Sequence, residues 1–282
     1  MIKIVVFDLD GTLYDSNKKI DKRTIQKILH LQKEGIIVGI ATGRFYEELA
    51  DVIDTLQLKE YGGFVASSNG LMVYDFGHER MKTFPQISKE QADMFIHLAQ
   101  KYHLKSWIWE NQSYHMFHLY FFRWIQVLFS KSTWDWHYIK FLQKVHFEKR
   151  VELHDEKYDK ICFMGFQIQK FIKEIKQQYP NYRLYQAGPF TYELCHSQVG
   201  KCEAVKWICE SYKMDLSEVM AFGDNDNDVE LNQACGYGVA MKNGCKEIKK
   251  VAKHVSDFSN DEQGVLTCLN AFFPENDNLR KS

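Results

Sequence analysis

The chain has 282 residues, enough for two domains, and its 45% apolar content suffices for buried cores. A formal net charge of −1 gives no electrostatic ground for binding nucleic acid or an anionic membrane surface. Seven scattered cysteines, with no C-x-x-C pair, argue against a disulfide framework or a zinc site and point to a cytoplasmic protein with reduced thiols.

No signal-peptide pattern precedes the first strand. Residues 2–16 read IKIVVFDLDGTLYDS, and the run Ile4-Val5-Val6-Phe7 has the pattern of a strand buried on both faces. Asp8 and Asp10 then stand at or just past its carboxyl end, with Leu9 between them. An Asx turn at Asp10-Gly11 accounts for the second aspartate and the glycine. It leaves Asp8 unexplained, because two carboxylates this close repel unless one is protonated or a cation lies between them. A helix is predicted over Asp21–Glu34, ended by Gly35. The run Ile36–Ala41 is a second strand, leading into Thr42-Gly43-Arg44. A helix over Tyr46–Leu58 and a short strand in GFVASSNG come next. This alternation predicts a parallel sheet with right-handed crossovers. LMVYD, after Asn69-Gly70, reads as the return arm of a hairpin.

From about residue 83 to 195 the character changes. Fifteen of the 41 aromatic residues and five of the six tryptophans lie between Tyr102 and Phe147, which marks this stretch as distinct. Strands at 105–110, 159–166, 182–187 and 191–195 interleave with helices near 88–102, 118–130 and 167–178. This reads as an α/β domain inserted into the first, with no element assigned to 130–156. The longest apolar stretch, Leu119–Phe129, contains Arg123 and is too short to span a bilayer. Histidines 97, 103, 115, 118, 137, 146 and 154 show no metal-binding spacing and read as surface or packing residues.

From Gly200 the first pattern resumes. Cys202–Tyr212 is an amphipathic helix, and EVMAFGDNDND is an apolar strand entering acidic residues. Asp228–Cys235 is helical, YGVAM a strand, Lys246–Ala252 helical, HVSDF a last strand and Gly264–Phe272 a closing helix; 274–282 reads as frayed. The expected fold is α/β: a doubly wound, Rossmann-like parallel-sheet core over 1–82 and 196–282, carrying an inserted α/β cap over 83–195. Three apolar strands end in Asp8/Asp10, Thr42 and Asp224. In an open parallel sheet such ends converge where ligands bind. The paired aspartates then read as a site for a metal and a phosphate.

DLDGTL, ATGR, GK and GDNDND resemble the four motifs of the haloacid dehalogenase superfamily of phosphatases. The large insert, SNG at 68–70 and YGVAMKNGCKEIKKVAKHVSDFSNDEQGV resemble its Cof-like sugar-phosphatase branch. The resemblance implies a Mg²⁺-dependent phosphatase acting on a small phosphorylated metabolite through an aspartyl-phosphate. It makes Asp8 the nucleophile and Asp10 the general acid and base, with the Asp10 carbonyl, Asp8 and Asp224 on the metal. Thr42 and the amides of Gly43 and Leu9 would bind phosphoryl oxygens. Lys201 would stabilise their charge, Asn227 would contact the phosphate, and Asp228 would orient Lys201 or metal-bound waters. A cap of this kind would choose the substrate. The sequence departs from the family at Cys202 after Lys201, at Leu231-Asn232 and at KNGCKE, which bears on the substrate and not on the reacting groups. A phosphohexomutase-type transferase and a non-catalytic phospho-ligand sensor are the alternative functions. The expected partners are a small metabolite and, at most, a second copy in a weak homodimer, with no nucleic acid and no membrane.

Overall fold

A computed structural model describes residues 1–110, 113–117, 145–148, 153–188 and 190–274. The chain divides into two compact units, Met1–Phe84 with Val199–Ser282, and Pro85–Gln198. The expected helix at 118–130 and much of 130–156 lie outside the described residues, as does the tail from 275.

In chain order the first unit begins with β1 (Ile4–Phe7), β2 (Ile37–Ala41), β3 (Phe64–Ser67), β4 (Met72–Asp75) and β5 (Arg80–Thr83). The second unit holds β6 (Ile87–Ser88), β7 (Lys105–Glu110), β8 (Ser113–Phe117), β9 (Val145–Glu148), β10 (Lys157–Tyr158), β11 (Ile161–Met164), β12 (Tyr182–Gly188) and β13 (Thr191–His196). The first unit resumes with β14 (Val219–Gly223), β15 (Tyr237–Ala240) and β16 (His254–Val255).

The first unit is built on one sheet in the order β16-β15-β14-β1-β2-β3-β4-β5. It is parallel from β16 to β3, and β4 and β5 add an antiparallel edge. Alternation along β1 explains why the run is apolar at every position. Val5 and Phe7 enter a core with Ile28, Leu31 and Leu269 on one face. Ile4 and Val6 enter another with Ala204, Val205 and Ile208 on the opposite face. Phe7 pairs with Phe222 on β14, and their rings stack with centroids 5.1 Å apart. The helix Lys22–Lys33 is capped by Asp21, which accepts from the amides of Arg23 and Thr24.

Two elements differ from expectation. The predicted helix over Tyr46–Leu58 is a 3₁₀ turn, Tyr46–Glu48, followed by a short helix, Ala50–Thr55. Gln57 takes φ +52° and stops it, which buries Leu56 and Leu58 fully. Strand β5 carries the sequence RMKT, with no apolar pattern to announce it. Its pairing to β4 makes it a strand, and its charges suit an exposed sheet edge.

In the second unit β12-β13-β11-β7-β8-β9 form one sheet and β6-β10 a small ribbon. Helices Lys89–Lys101 and Ile168–Gln178 contribute Phe95, Ile96, Phe171 and Ile175 to a core with Ile161, Phe163 and Leu194 from the sheet. The first helix opens with a capping box formed by Ser88 and Gln91. No described helix is long and apolar enough to cross a membrane.

Candidate active site

The chain runs outward from β1 through β2 to β3, and later returns to place β14 on the other side of β1. The order therefore switches between β1 and β14, and their carboxyl ends flank the crevice where ligands bind in such sheets. Asp8 follows β1, its amide donating to the Phe222 carbonyl at 3.0 Å. Thr42 follows β2 and Asp224 follows β14.

Lys201 is the first residue of helix Lys201–Tyr212 and is buried. Its Nζ donates to Asp8 Oδ1 and Asp228 Oδ1, both at 2.6 Å. Asp228 Oδ2 accepts the amides of Asp224 and Asn225, each at 3.1 Å, so its carboxylate ties the loop after β14 to the ammonium. Thr12 donates its hydroxyl to Asp224 Oδ1 at 3.0 Å. Gly11 is required beside it: φ is +81°, and a β-carbon would lie 2.5 Å from Asp224 Oδ2.

Ligand oxygens of Asp8, Asp224 and Asp228 lie within 4.8 Å of one another. The electrostatics follow from three carboxylates around one ammonium. Burial pushes Asp8 well above the usual carboxylate range; Lys201 opposes the shift, and Asp228 and Asp224 add to it. Burial, then repulsion from Asp228, raises Asp224 to about 6 against the pull of Thr12. For Lys201 burial disfavours the charge, but Asp228 and Asp8 outweigh it and hold the ammonium well above the ordinary lysine value. An all-oxygen donor set with surplus negative charge fits a hard divalent cation such as Mg²⁺. Asp228 thus joins the carboxylate cluster, while the side chain of Asp10 turns to other partners.

Those partners are cations. Arg44 forks onto Asp10, its Nε to Oδ2 and its terminal nitrogen to Oδ1, both at 2.7 Å, and Lys18 Nζ reaches Oδ1 at 2.5 Å. Burial alone would raise Asp10, but these hydrogen bonds overcome it and bring the carboxyl down to about 2. Tyr14 lies under the guanidinium, 5.1 Å from its ring centroid.

Thr42 is buried, and its hydroxyl accepts the Arg44 amide at 3.2 Å. Asn227 donates its side-chain N–H to Asn69 Oδ1 at 2.8 Å. A β-carbon on Gly43 would come within 3.1 Å of that same oxygen, so Gly43 lies against Asn69. Leu9 is buried and its carbonyl accepts the amides of Thr12 and Tyr14 at 3.2 and 2.8 Å. The structure thus links Asp8, Lys201, Asp228 and Asp224 directly, and Thr42, Gly43 and Asn227 through Asn69 and Arg44. Sequence reasoning missed Thr12, Arg44, Asn69 and Lys18 as site residues. Thr12 and Arg44 stand inside DLDGTL and ATGR, and Asn69 inside SNG. Lys18 carries no signal, because its contact depends on a turn with φ +59°.

A family model described as haloacid dehalogenase-like hydrolase matches residues 5–269. The chain belongs to this family. A 5-amino-6-(5-phospho-D-ribitylamino)uracil phosphatase of Bacillus subtilis is 24% identical to this haloacid dehalogenase-like hydrolase, over 96% of the chain and 97% of the relative. A phosphoglycolate phosphatase of Methanopyrus kandleri is 25% identical, over 98% and 100%. The solved structure of a subclass IIB sugar phosphatase superposes with a TM-score of 0.74 at 19% identity, covering 96% of this chain and 98% of that one, which establishes a shared fold.

Proposed function

We propose that this hydrolase is a Mg²⁺-dependent phosphatase that releases inorganic phosphate from a small phosphorylated metabolite, a sugar phosphate being the favoured class. The observation that carries the reading is the buried Lys201 bridge between Asp8 and Asp228 at the β1–β14 switch, with Asp224 beside it. Relatives of similar identity are named for unlike substrates, so the substrate class rests on the fold shared with the sugar phosphatase.

Asp8 attacks phosphorus, and the bond to the substrate alcohol breaks as that oxygen takes a proton from Asp10, which must first take it up from solvent against the pull of Arg44 and Lys18. Water then attacks the phosphorus of the aspartyl-phosphate and yields its proton to Asp10. The acyl–phosphate bond breaks, regenerating Asp8 and releasing phosphate. Asp10 is poised as the base of the second step, since Arg44 and Lys18 favour its ionised form. Lys201, Thr42, Asn227 and the amides of Leu9 and Gly43 hold the phosphoryl oxygens and stabilise their spreading charge. Mg²⁺ held by Asp8, Asp224 and the Asp10 carbonyl would supply the positive charge that lets an anionic nucleophile meet an anionic phosphate. The unit Pro85–Gln198 selects the alcohol part of the substrate. The protein works in the cytoplasm as a monomer or weak homodimer; its seven cysteines, none of them in a disulfide, support the reducing setting.

Phosphate release over a panel of phosphorylated metabolites, with p-nitrophenyl phosphate as a generic ester and Mg²⁺ present, tests this reading. Turnover concentrated on one sugar-phosphate group is expected. No release from any ester would overturn the function, and transfer of phosphate between sugars without release would favour a mutase.

A further inference from the structure

The turn Ser68-Asn69-Gly70 is buried, yet all three residues have positive φ: +47°, +59° and +90°. Such angles are rare for residues other than glycine, and rarer still two in a row away from the surface. The turn touches three of the segments that the proposed reaction uses to hold phosphate: the Thr42–Arg44 loop, Asn227 and the residue before Lys201. The Ser68 amide donates to the Arg44 carbonyl and the Asn69 amide to the Thr42 carbonyl, both at 2.8 Å. Gly43 lies against Asn69 Oδ1, and that oxygen accepts from Asn227 Nδ2. Gly70 backs onto the residue before Lys201: a β-carbon there would sit 2.4 Å from the Gly200 carbonyl oxygen.

A hairpin turn joining β3 to β4 accounts for the Asn-Gly pair and its angles. It does not account for a buried amide that bonds a side chain 158 positions away. Nor does it explain why the turn's amides are spent on the loop after β2. Asparagine answers both demands, since it tolerates left-handed backbone and offers an acceptor at short reach.

We infer that Asn69 is a positioning residue for the phosphoryl group, acting through Asn227 and the Thr42-Gly43-Arg44 loop. Its Oδ1 accepts one N–H of the Asn227 amide. The planar NH₂ group then has its second N–H fixed in direction, ready to donate to a phosphoryl oxygen. Its own amide fixes the carbonyl of Thr42, and with it the course of the backbone into Gly43. The role rests on the phosphatase reading.

The test is a double-mutant cycle in the full-length chain. Asn69→Gly keeps the positive φ and the backbone donor and deletes only the side chain. Inorganic phosphate is the probe, read as product inhibition and as direct binding with Mg²⁺ present, beside kcat and KM for p-nitrophenyl phosphate. The expected result is about tenfold weaker phosphate binding and about tenfold lower kcat/KM, with the melting temperature unchanged. Asn227→Ala should show a similar loss, and the double variant no more than either alone, because the two amides act as one unit. Losses that multiply would mean Asn69 does not act through Asn227, and unchanged phosphate binding in Asn69→Gly would overturn the role outright. A loss that follows a fall in melting temperature would make the turn a folding element only. These outcomes presuppose a wild-type chain that handles phosphate. If the wild type neither releases nor binds it, the phosphatase reading fails first; if it binds without turnover, the cycle is read on binding alone.

Discussion

Replacing Lys201 with methionine keeps a chain as long as the lysine stem to Cε and removes the ammonium that lies 2.6 Å from both Asp8 and Asp228. A cluster of three carboxylates, two of them buried, is left behind. Removing one partner of a buried ion pair costs about 3–5 kcal/mol, because the other charge is left uncompensated. At roughly 2–4 °C per kcal/mol for a unit of this size, the melting transition of the first unit should fall by about 6–20 °C at pH 7.5 in chelator. The loss depends on pH in a defined direction. Asp224 has a folded pKa of about 6, above the unfolded 3.8, so the folded state holds its proton more tightly. Stability from this group is therefore greatest at low pH and declines as pH rises through that window. Lys201 is raised above its unfolded value, so its contribution is complete below the lysine range and does not change between pH 5 and 8. In the variant, lowering the pH to 5 protonates part of the surplus charge, and the deficit against wild type should shrink. Mg²⁺ should shrink it also. Calorimetric or circular-dichroism melts at pH 5.0 and 7.5, with and without Mg²⁺, measure all four values. A variant within 2 °C of wild type at pH 7.5 without metal would show that Lys201 does not compensate these carboxylates. Turnover, followed in parallel, should drop by about 10²–10³.

Asp8→Asn should abolish turnover without unfolding the chain, since an amide is no nucleophile here; near wild-type hydrolysis would refute the aspartyl-phosphate route. Asp10→Asn should give a burst of p-nitrophenol followed by slow turnover, because that leaving group needs no proton while the water does; a single slow phase without a burst counts against the assignment. Mg²⁺ binding should expel protons from Asp8 and Asp224, more at pH 6 than at pH 8. Calorimetry in buffers of different ionisation enthalpy reads this, and equal proton release at both values would contradict the raised carboxyls. Asp224→Ala should weaken the apparent metal affinity and remove part of that release. With Mg²⁺ saturating, so that Asp8 and Asp224 are held ionised, Arg44→Met should move the acid limb of the p-nitrophenyl phosphate profile up by about 1–3 pH units, since a cation favouring ionised Asp10 is gone; an unmoved limb would mean that Arg44 does not set the step that Asp10 limits.

Much of this was legible in the chain because the core is built from continuous apolar runs. IVVF, IIVGIA and VMAF had to be strands buried on both faces, and the residues just past such strands in a parallel sheet converge at one end. That argument brought Asp8, Thr42 and Asp224 together from positions far apart. It failed where structure depends on a neighbour and not on a pattern. RMKT is a strand only because β4 offers an edge. The helix after Tyr46 is short because Gln57 turns left-handed, which no periodicity announces. Arg44 was readable as the end of a motif, but its fork onto Asp10 depends on the path of the loop after β2, and Lys18 on a turn of its own.

The spacing Asp-x-Asp acquires its chemical meaning from this difference in surroundings. Asp8 and Asp10 are two residues apart at the end of one strand, yet their environments drive them in opposite directions. Asp8 faces inward, where burial, with Asp228 and Asp224 adding to it against Lys201, disfavours its charge until another cation arrives. Asp10 faces two cations and stays ionised down to about pH 2. A pair of carboxyls split in this way suits two roles better than one. On the proposed mechanism the inner group would become a competent nucleophile only with Mg²⁺ bound, which would couple attack to metal binding. On the same mechanism the outer group would keep a base available for water whether or not metal is bound. Had both carboxyls shared one cluster, they would have competed for the same cation and the same proton. Leu9, buried between them with its carbonyl bonded into the following turn, keeps the two apart.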